Sequence, residues 1–199
     1  MTDSLLSILT EEPWFWDPFH RNEIKFHPDG TGDLICRYET QTWLMAQFDW
    51  SFHPQPTLID NNTKSGPIAD FPITLTLTKH AIPNSHIPQH TRINESLLTD
   101  EAFRPKTYVV RLEKGTFLTQ HDVMYADRKW DAGRYALRLV FDRSPYPARE
   151  EWRREVVGGG LEACRVWEWT EFCSRGIPPG RGVLGEMWAR VWEAVGWEY

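Results

Sequence analysis

Apolar and polar residues alternate at every second position through much of the chain. In FPITLTLTKHAI, Ile73, Leu75 and Leu77 alternate with Thr74, Thr76 and Thr78, the period of a strand with one buried face. KTYVVRLEKG and RYALRLVFDR repeat the pattern, with Tyr108, Val110 and Leu112, then Tyr135, Leu137, Leu139 and Phe141, on one side. DLICRYET and TWLMAQFDWSF are rich in β-branched and aromatic residues and lack a 3.6-residue spacing, so both read as strands. LEACRVWEWTEFC is predicted as another strand, with Ala163, Trp167 and Trp169 opposite Glu162, Cys164, Val166 and Glu168. GTFLTQ is predicted as a shorter one.

Between NEIKF and DLICRYET lies HPDGTGD. A phosphate-binding glycine loop must lead from a strand into a helix N-terminus, and here a strand follows instead. Pro28 presets φ and Gly30 supplies a positive φ, so the stretch is predicted as a hairpin turn. Helical spacing is confined to the edges of the chain. TDSLLSILTEE carries Leu5, Leu6 and Leu9 on one stripe, capped by Thr2 or Asp3, and PAREEWRREVV follows two prolines. GVLGEMWARVWEAVG places Leu184, Trp188, Val191 and Val195 along one face, predicting an amphipathic C-terminal helix over 183–197. Residues 158–160 (GGG) read as a joint and 176–182 (GIPPGRG) as a stiff linker. The long stretch from Ala81 to Pro105 is predicted to cross an open end of the sheet, with a short helix near 94–103.

Seven or eight meandering strands in 199 residues suit one mainly β (α+β) domain, 1–199. Its barrel strands and loops fall in 12–175, with helices at both ends. Closing the antiparallel sheet into a barrel removes its exposed edges. A chain of this length buries roughly 70% of its unfolded surface. With 11 Trp, 10 Phe and 6 Tyr, it has the aromatic area to fill a core and also to wall a ligand pocket.

A net charge of −6 argues against nucleic acid as a partner, because phosphate contacts need clustered Lys and Arg. Cys36, Cys164 and Cys173 form no CxxC pair, which fits reduced thiols of a cytoplasmic protein better than a disulfide scaffold. The N-terminus lacks a basic region ahead of its short apolar run, and no stretch reaches the roughly 20 apolar residues of a membrane span. The sequons at Asn61 and Asn94 are therefore taken as incidental.

The opening EEPWFWDP, the NEIKF and DGTG segments and the tryptophans after them resemble the calycin group, lipocalins and their small intracellular fungal relatives. The resemblance covers roughly residues 12–145. It implies an antiparallel barrel and a tendency to bind small hydrophobic molecules. The calycin Gly-x-Trp signature is replaced, since Trp14 and Trp16 follow Pro13 and Phe15. No functional residue carries over.

Candidate chemistry comes from charged and aromatic positions on strands. Arg37 and Glu39 share a face opposite Leu34, Cys36 and Tyr38. Gln47 and Asp49 share one with Trp43 and Met45. Arg111 and Glu113 form a third group, Arg138 and Asp142 a fourth. One reading is an outer row of cross-strand ion pairs. The other makes Arg37, Trp43, Gln47, Asp49, Arg111 and Arg138 the ligand-binding fixtures of a cavity, with Glu39, Asp49 or His121 as acid or base. His80, His86 and His90 cluster, but Pro83 and Pro88 interrupt them, and no metal or cofactor is expected. There is no nucleophile elbow.

Three functions remain on this reading. The first is a barrel binding a small hydrophobic or aromatic molecule. The second is a cofactor-independent cyclase or isomerase of secondary metabolism. The third is an interaction module, or homodimer interface, using the Trp-rich C-terminal helix.

Overall fold

The computed structural model describes residues 4–38, 41–52, 65–82, 93–127, 132–153 and 160–178. Eight strands, β1 (Trp14–Phe15), β2 (Glu23–Phe26), β3 (Thr31–Tyr38), β4 (Gln41–Ser51), β5 (Gly66–Ala81), β6 (Lys106–Phe117), β7 (Arg134–Phe141) and β8 (Glu171–Ile177), run in sequence order round a closed antiparallel barrel. Closure comes from β1 pairing with β8, where Phe15 lies opposite Cys173. The fold class read from the alternation is the one observed. Among the described residues, no helix is long and apolar enough to cross a membrane.

The period-two pattern becomes the inside and outside of the barrel. Cross-strand partners Trp14 and Ile24, Ile24 and Leu34, Leu34 and Ala46, Phe48 and Leu77, Phe71 and Val110, and Leu139 and Phe172 are all buried on one continuous face. These side chains fill the interior. Phe26, Gly32 and Phe48 stand side by side on β2, β3 and β4. The two rings meet edge to face at 5.6 Å over the glycine between them. Here the absent side chain is the point of the glycine: neighbouring aromatics occupy the space it leaves.

HPDGTGD is the hairpin turn. Gly30 has φ +87°, and its N–H donates to the His27 carbonyl at 3.2 Å, while the His27 N–H donates to the Thr31 carbonyl at 2.8 Å. Asp29 accepts from both the Thr31 N–H and hydroxyl. The Trp50 indole N–H reaches across to the Thr31 carbonyl at 2.7 Å, tying the turn to β4.

Among the described residues, four helices decorate the barrel: α1 (Leu5–Glu11), α2 (Ile93–Leu97), α3 (Gln120–Tyr125) and α4 (Gly160–Cys164). Ser4, rather than Thr2 or Asp3, caps α1 by accepting from the Ser7 N–H, and Leu5, Ile8 and Leu9 are buried. α2 and a 3-10 turn at Asp100–Phe103 occupy the region where a short helix is expected. Asn94, in one of the two sequons, is only 1% exposed. Its side-chain amide pairs with both the N–H and the carbonyl of Met45. That bidentate contact covers the outer face of β4, where Trp43 and Met45 are buried alongside the inward Leu44 and Ala46.

Three expectations change. LEACRVWEWTEFC is helical first: α4, then Arg165 at φ 49°, then a 3-10 turn Val166–Glu168, with β8 starting only at Glu171. Arg165 in the left-handed region ends α4 and breaks the alternation, and the Trp169 indole donates to the Cys164 carbonyl at 3.1 Å. GTFLTQ is not a separate strand but the end of β6, followed by α3. Within the described part of PAREEWRREVV, residues 147–153, a 3-10 turn at Arg149–Glu151 precedes Trp152, which bridges to Leu98. The predicted helix 183–197, with Trp188, Trp192 and Trp197, lies outside the described residues.

A Cβ on Gly32 would sit 2.2 Å from the Phe48 ring and 2.5 Å from the Lys25 carbonyl oxygen. Because one obstacle is backbone, rotamer changes alone cannot relieve the clash. Gly32→Ala is expected to lower stability by about 2 kcal/mol in urea denaturation, in the range of overpacked cores. Unchanged stability would show that the Phe26–Phe48 pair is loosely held.

Candidate functional site

A pocket of about 280 Å³ opens at the end of the barrel where β1 finishes and β8 begins. Its lining draws on the β1–β2 loop (Trp16, Asp17, Phe19, Arg21, Asn22), Arg37 of β3, His121 and Tyr125 of α3, and Ala163, Cys164 and Trp169. It contains none of the inward residues of β3 to β7. The site is therefore at the mouth and not along the barrel axis.

The β1–β2 loop is organised by one carboxylate. Asp17 is 2% exposed. Its Oδ1 accepts from the Phe19 and Arg21 N–H groups at 2.8 and 3.4 Å, and its Oδ2 from the Asn22 N–H and side-chain amide, both at 2.9 Å. A buried carboxylate persists when its oxygens are fully hydrogen-bonded. Asn22 in turn accepts from the Arg37 N–H at 2.7 Å, which fixes the loop to β3. His20, at φ 54°, stacks on Phe15 with centroids 3.7 Å apart, and its Nε2 lies 3.1 Å from the Tyr135 hydroxyl. Burial holds the His20 pKa below its ordinary value despite the charge of Asp17. Burial also pushes the Tyr135 hydroxyl up to about 12.

The opposite wall rests on a tryptophan pair. Trp16 and Trp169 stack with centroids 3.6 Å apart and planes within 12°. Gln120 joins them: its Oε1 accepts from the Trp16 indole at 3.0 Å and from the Thr170 and Glu171 N–H groups at 2.9 and 3.1 Å. One carboxamide oxygen thus holds the end of β1 and the start of β8 together. Tyr146 meets Trp169 edge to face at 5.5 Å, and its hydroxyl donates to the Ile35 carbonyl at 2.6 Å.

His121 projects into this aromatic setting, edge-on to Trp16 at 5.3 Å and to Phe19 at 5.8 Å. Its Nδ1 is buried without a hydrogen-bond partner and lies 3.7 Å from Asp122 Oδ1, too long for a hydrogen bond. Asp122 is buried and its Oδ2 is also unpartnered. Unmet polar atoms of this kind call for an explanation.

Of the residues singled out in the sequence, the structure brings Arg37 and His121 together in this pocket. Trp43 is buried on the outer side of β4, and Asp49 is exposed. Gln47 borders a second, more open depression beside His27 and Asp33. Arg111 pairs with Asp70 at 2.8 Å. Arg138 lies between Glu113 and Glu171, at 2.6 and 2.7 Å. Glu39, His86 and His90 fall outside the described residues, while His80 is exposed near the end of β5. No metal-holding group of three or more His, Cys, Asp or Glu occurs among the described residues.

The sequence reading missed Asp17, Gln120 and the partnership of Trp16 with Trp169. Only Asp17 left a local signal. It precedes Pro18 in WDPF, where an Asp side chain commonly bonds backbone N–H groups just beyond it.

No protein family, curated protein or solved structure matches the chain.

Gln120→Leu would leave three N–H groups without their acceptor. It is expected to lower stability by about 2 kcal/mol, while Gln120→Glu, which keeps the oxygen, should cost less than half as much. Equal losses in urea denaturation would deny the carboxamide this role. The thiols give a second check. Burial pushes Cys36 well up and Cys173 up to about 12, whereas Cys164 is half-buried beside the pocket. At pH 8 the native protein is expected to be alkylated by iodoacetamide at Cys164 first, as peptide mapping would show.

Proposed function

We propose that this protein is a calycin-like barrel that binds a small, flat aromatic or hydrophobic molecule in the mouth pocket. The observation that carries the reading is the pocket's construction. Trp16, Trp169, Phe19 and Tyr125 wall about 280 Å³, and the loop forming one side is held by the four hydrogen bonds to Asp17. Ligand sites are concave, mostly apolar and largely preformed, with a few placed polar groups. The volume lies just under the roughly 300 Å³ at which ligand pockets usually begin and suits one or two fused rings. The filled interior favours binding at the mouth rather than deep in the barrel. The calycin resemblance is supported at the level of the eight-stranded closed meander.

A second reading has its own observation. His121, which lines the pocket, has an unpartnered Nδ1, and the buried Asp122 next to it has an unpartnered Oδ2; a small inward turn of the imidazole would give an acid–base pair for a cofactor-independent isomerase or cyclase. The two readings separate on His121→Gln. Binding survives in both, and turnover, if present, is lost only in the second.

A panel of neutral fused-ring compounds, such as naphthalene alcohols, tests the first reading. The Trp16 and Trp169 indole N–H resonances are expected to shift saturably while those of Trp14 and Trp50 stay in place. Cys164 alkylation should slow in parallel. If no compound shifts Trp16 or Trp169, the mouth pocket is not a ligand site.

A further inference from the structure

The lining carries an uneven distribution of charge. Its one carboxylate, Asp17, has both oxygens engaged by Phe19, Arg21 and Asn22, so no acceptor capacity is left for a ligand's donors. Its cations are Arg21 and Arg37, on opposite sides of the Asn22 bridge. Elsewhere on the barrel, Arg111, Arg138, Arg149, Arg165 and Arg175 each pair with a carboxylate. Among the described residues, neither Arg21 nor Arg37 has such an ion pair. The Arg21 guanidinium instead lies over the Phe19 ring at 5.7 Å. Glu23, a half-buried carboxylate, is close enough to interact with Arg37 through space without forming an ion pair. In a chain of net charge −6, two guanidinium groups with no ion pair among the described residues, beside an aromatic pocket, are a local concentration of positive charge. His121 adds a ring nitrogen with no partner.

We propose, resting on the ligand-binding reading above, that the molecule taken by the mouth pocket is an aromatic carboxylate. Its ring system lies among Trp16, Trp169, Phe19 and Tyr125, and its carboxylate faces Arg37 and Arg21. The planar guanidinium fork matches a carboxylate in two parallel hydrogen bonds, which a neutral hydroxyl cannot reproduce. The acid end points to solvent, where Arg37 is exposed, and the rings point inward. Charge then sets orientation and selectivity, while aromatic contact supplies most of the affinity.

The test compares 1-naphthoic acid with 1-naphthalenemethanol, the same rings bearing a neutral group, by tryptophan quenching at pH 8. The acid is expected to bind about tenfold tighter than the alcohol at low salt, the preference shrinking as salt rises. Arg37→Met should remove most of the preference by weakening the acid about tenfold while leaving the alcohol unchanged. Far-UV circular dichroism of Arg37→Met checks that the exposed substitution leaves the barrel folded. Arg21→Gln, at a second exposed position, is expected to weaken the acid in the same direction. Equal binding of acid and alcohol to the parent protein would overturn the carboxylate assignment and leave the pocket reading intact. Failure of both compounds to bind would overturn both.

Discussion

The closure of the barrel at β1 and β8 is the constraint on which the rest depends. β1 has only two residues, and one aligned pair, Phe15 with Cys173, joins it to β8. So short a strand cannot hold a barrel shut by ladder hydrogen bonds. The joint is instead made by side chains. The Gln120 carboxamide oxygen receives donors from both sides of the seam, and the Trp16 and Trp169 rings lie flat against each other across it. The Ser174 hydroxyl donates to the Pro13 carbonyl at 2.9 Å, and Arg175 pairs with Glu11. These contacts replace the missing length of strand.

The same residues wall the pocket, so closure and site are one construction. Trp16 and Trp169 must be stacked for the barrel to close, and once stacked they fix the position of His121, whose N–H donates to the Trp16 carbonyl at 3.3 Å. Asp17 follows Trp16 directly and folds the next five residues into the facing wall. Stability and recognition are therefore coupled at this end of the molecule. At the other end, away from the mouth pocket, lie the Phe26, Phe48 and Trp50 cluster and the His27–Gly30 turn. Catalytic and binding sites held by groups whose own positions are over-determined are the ones that keep their geometry.

The ion pairs on the outer face have a different character. Arg138 bridges β6 and β8 through Glu113 and Glu171, and its guanidinium also lies over the Phe117 ring at 4.5 Å. Arg111 with Asp70 is open to solvent, where such pairs contribute little to stability. They link neighbouring strands across the polar outer face. Arg37 shares their alternation but sits at the mouth, and no carboxylate among the described residues forms an ion pair with it, Glu23 acting on it only through space.

Period-two alternation determined the strands, because one buried face and one wet face leave their mark on every second residue. Ile73, Leu75 and Leu77, Tyr108, Val110 and Leu112, and Tyr135, Leu137, Leu139 and Phe141 are all buried on one side as read. The HPDGTGD turn was legible for the same local reason, a positive φ that glycine accepts. Closure of the sheet was expected from seven or eight meandering strands and the avoidance of edges, and the ring has eight. Tertiary structure decided the remainder. Alternation in LEACRVWEWTEFC described a strand over residues that form α4 and a 3-10 turn, since burying Leu161, Val166 and Trp169 against the barrel outweighed local propensity. Gln120 and the Trp16–Trp169 pair left no period, because their partners lie across the closed seam, and Asp17 left none because it bonds the irregular loop that follows it. Gln120 and Trp16 are 104 positions apart in the chain, and only the folded barrel makes them neighbours.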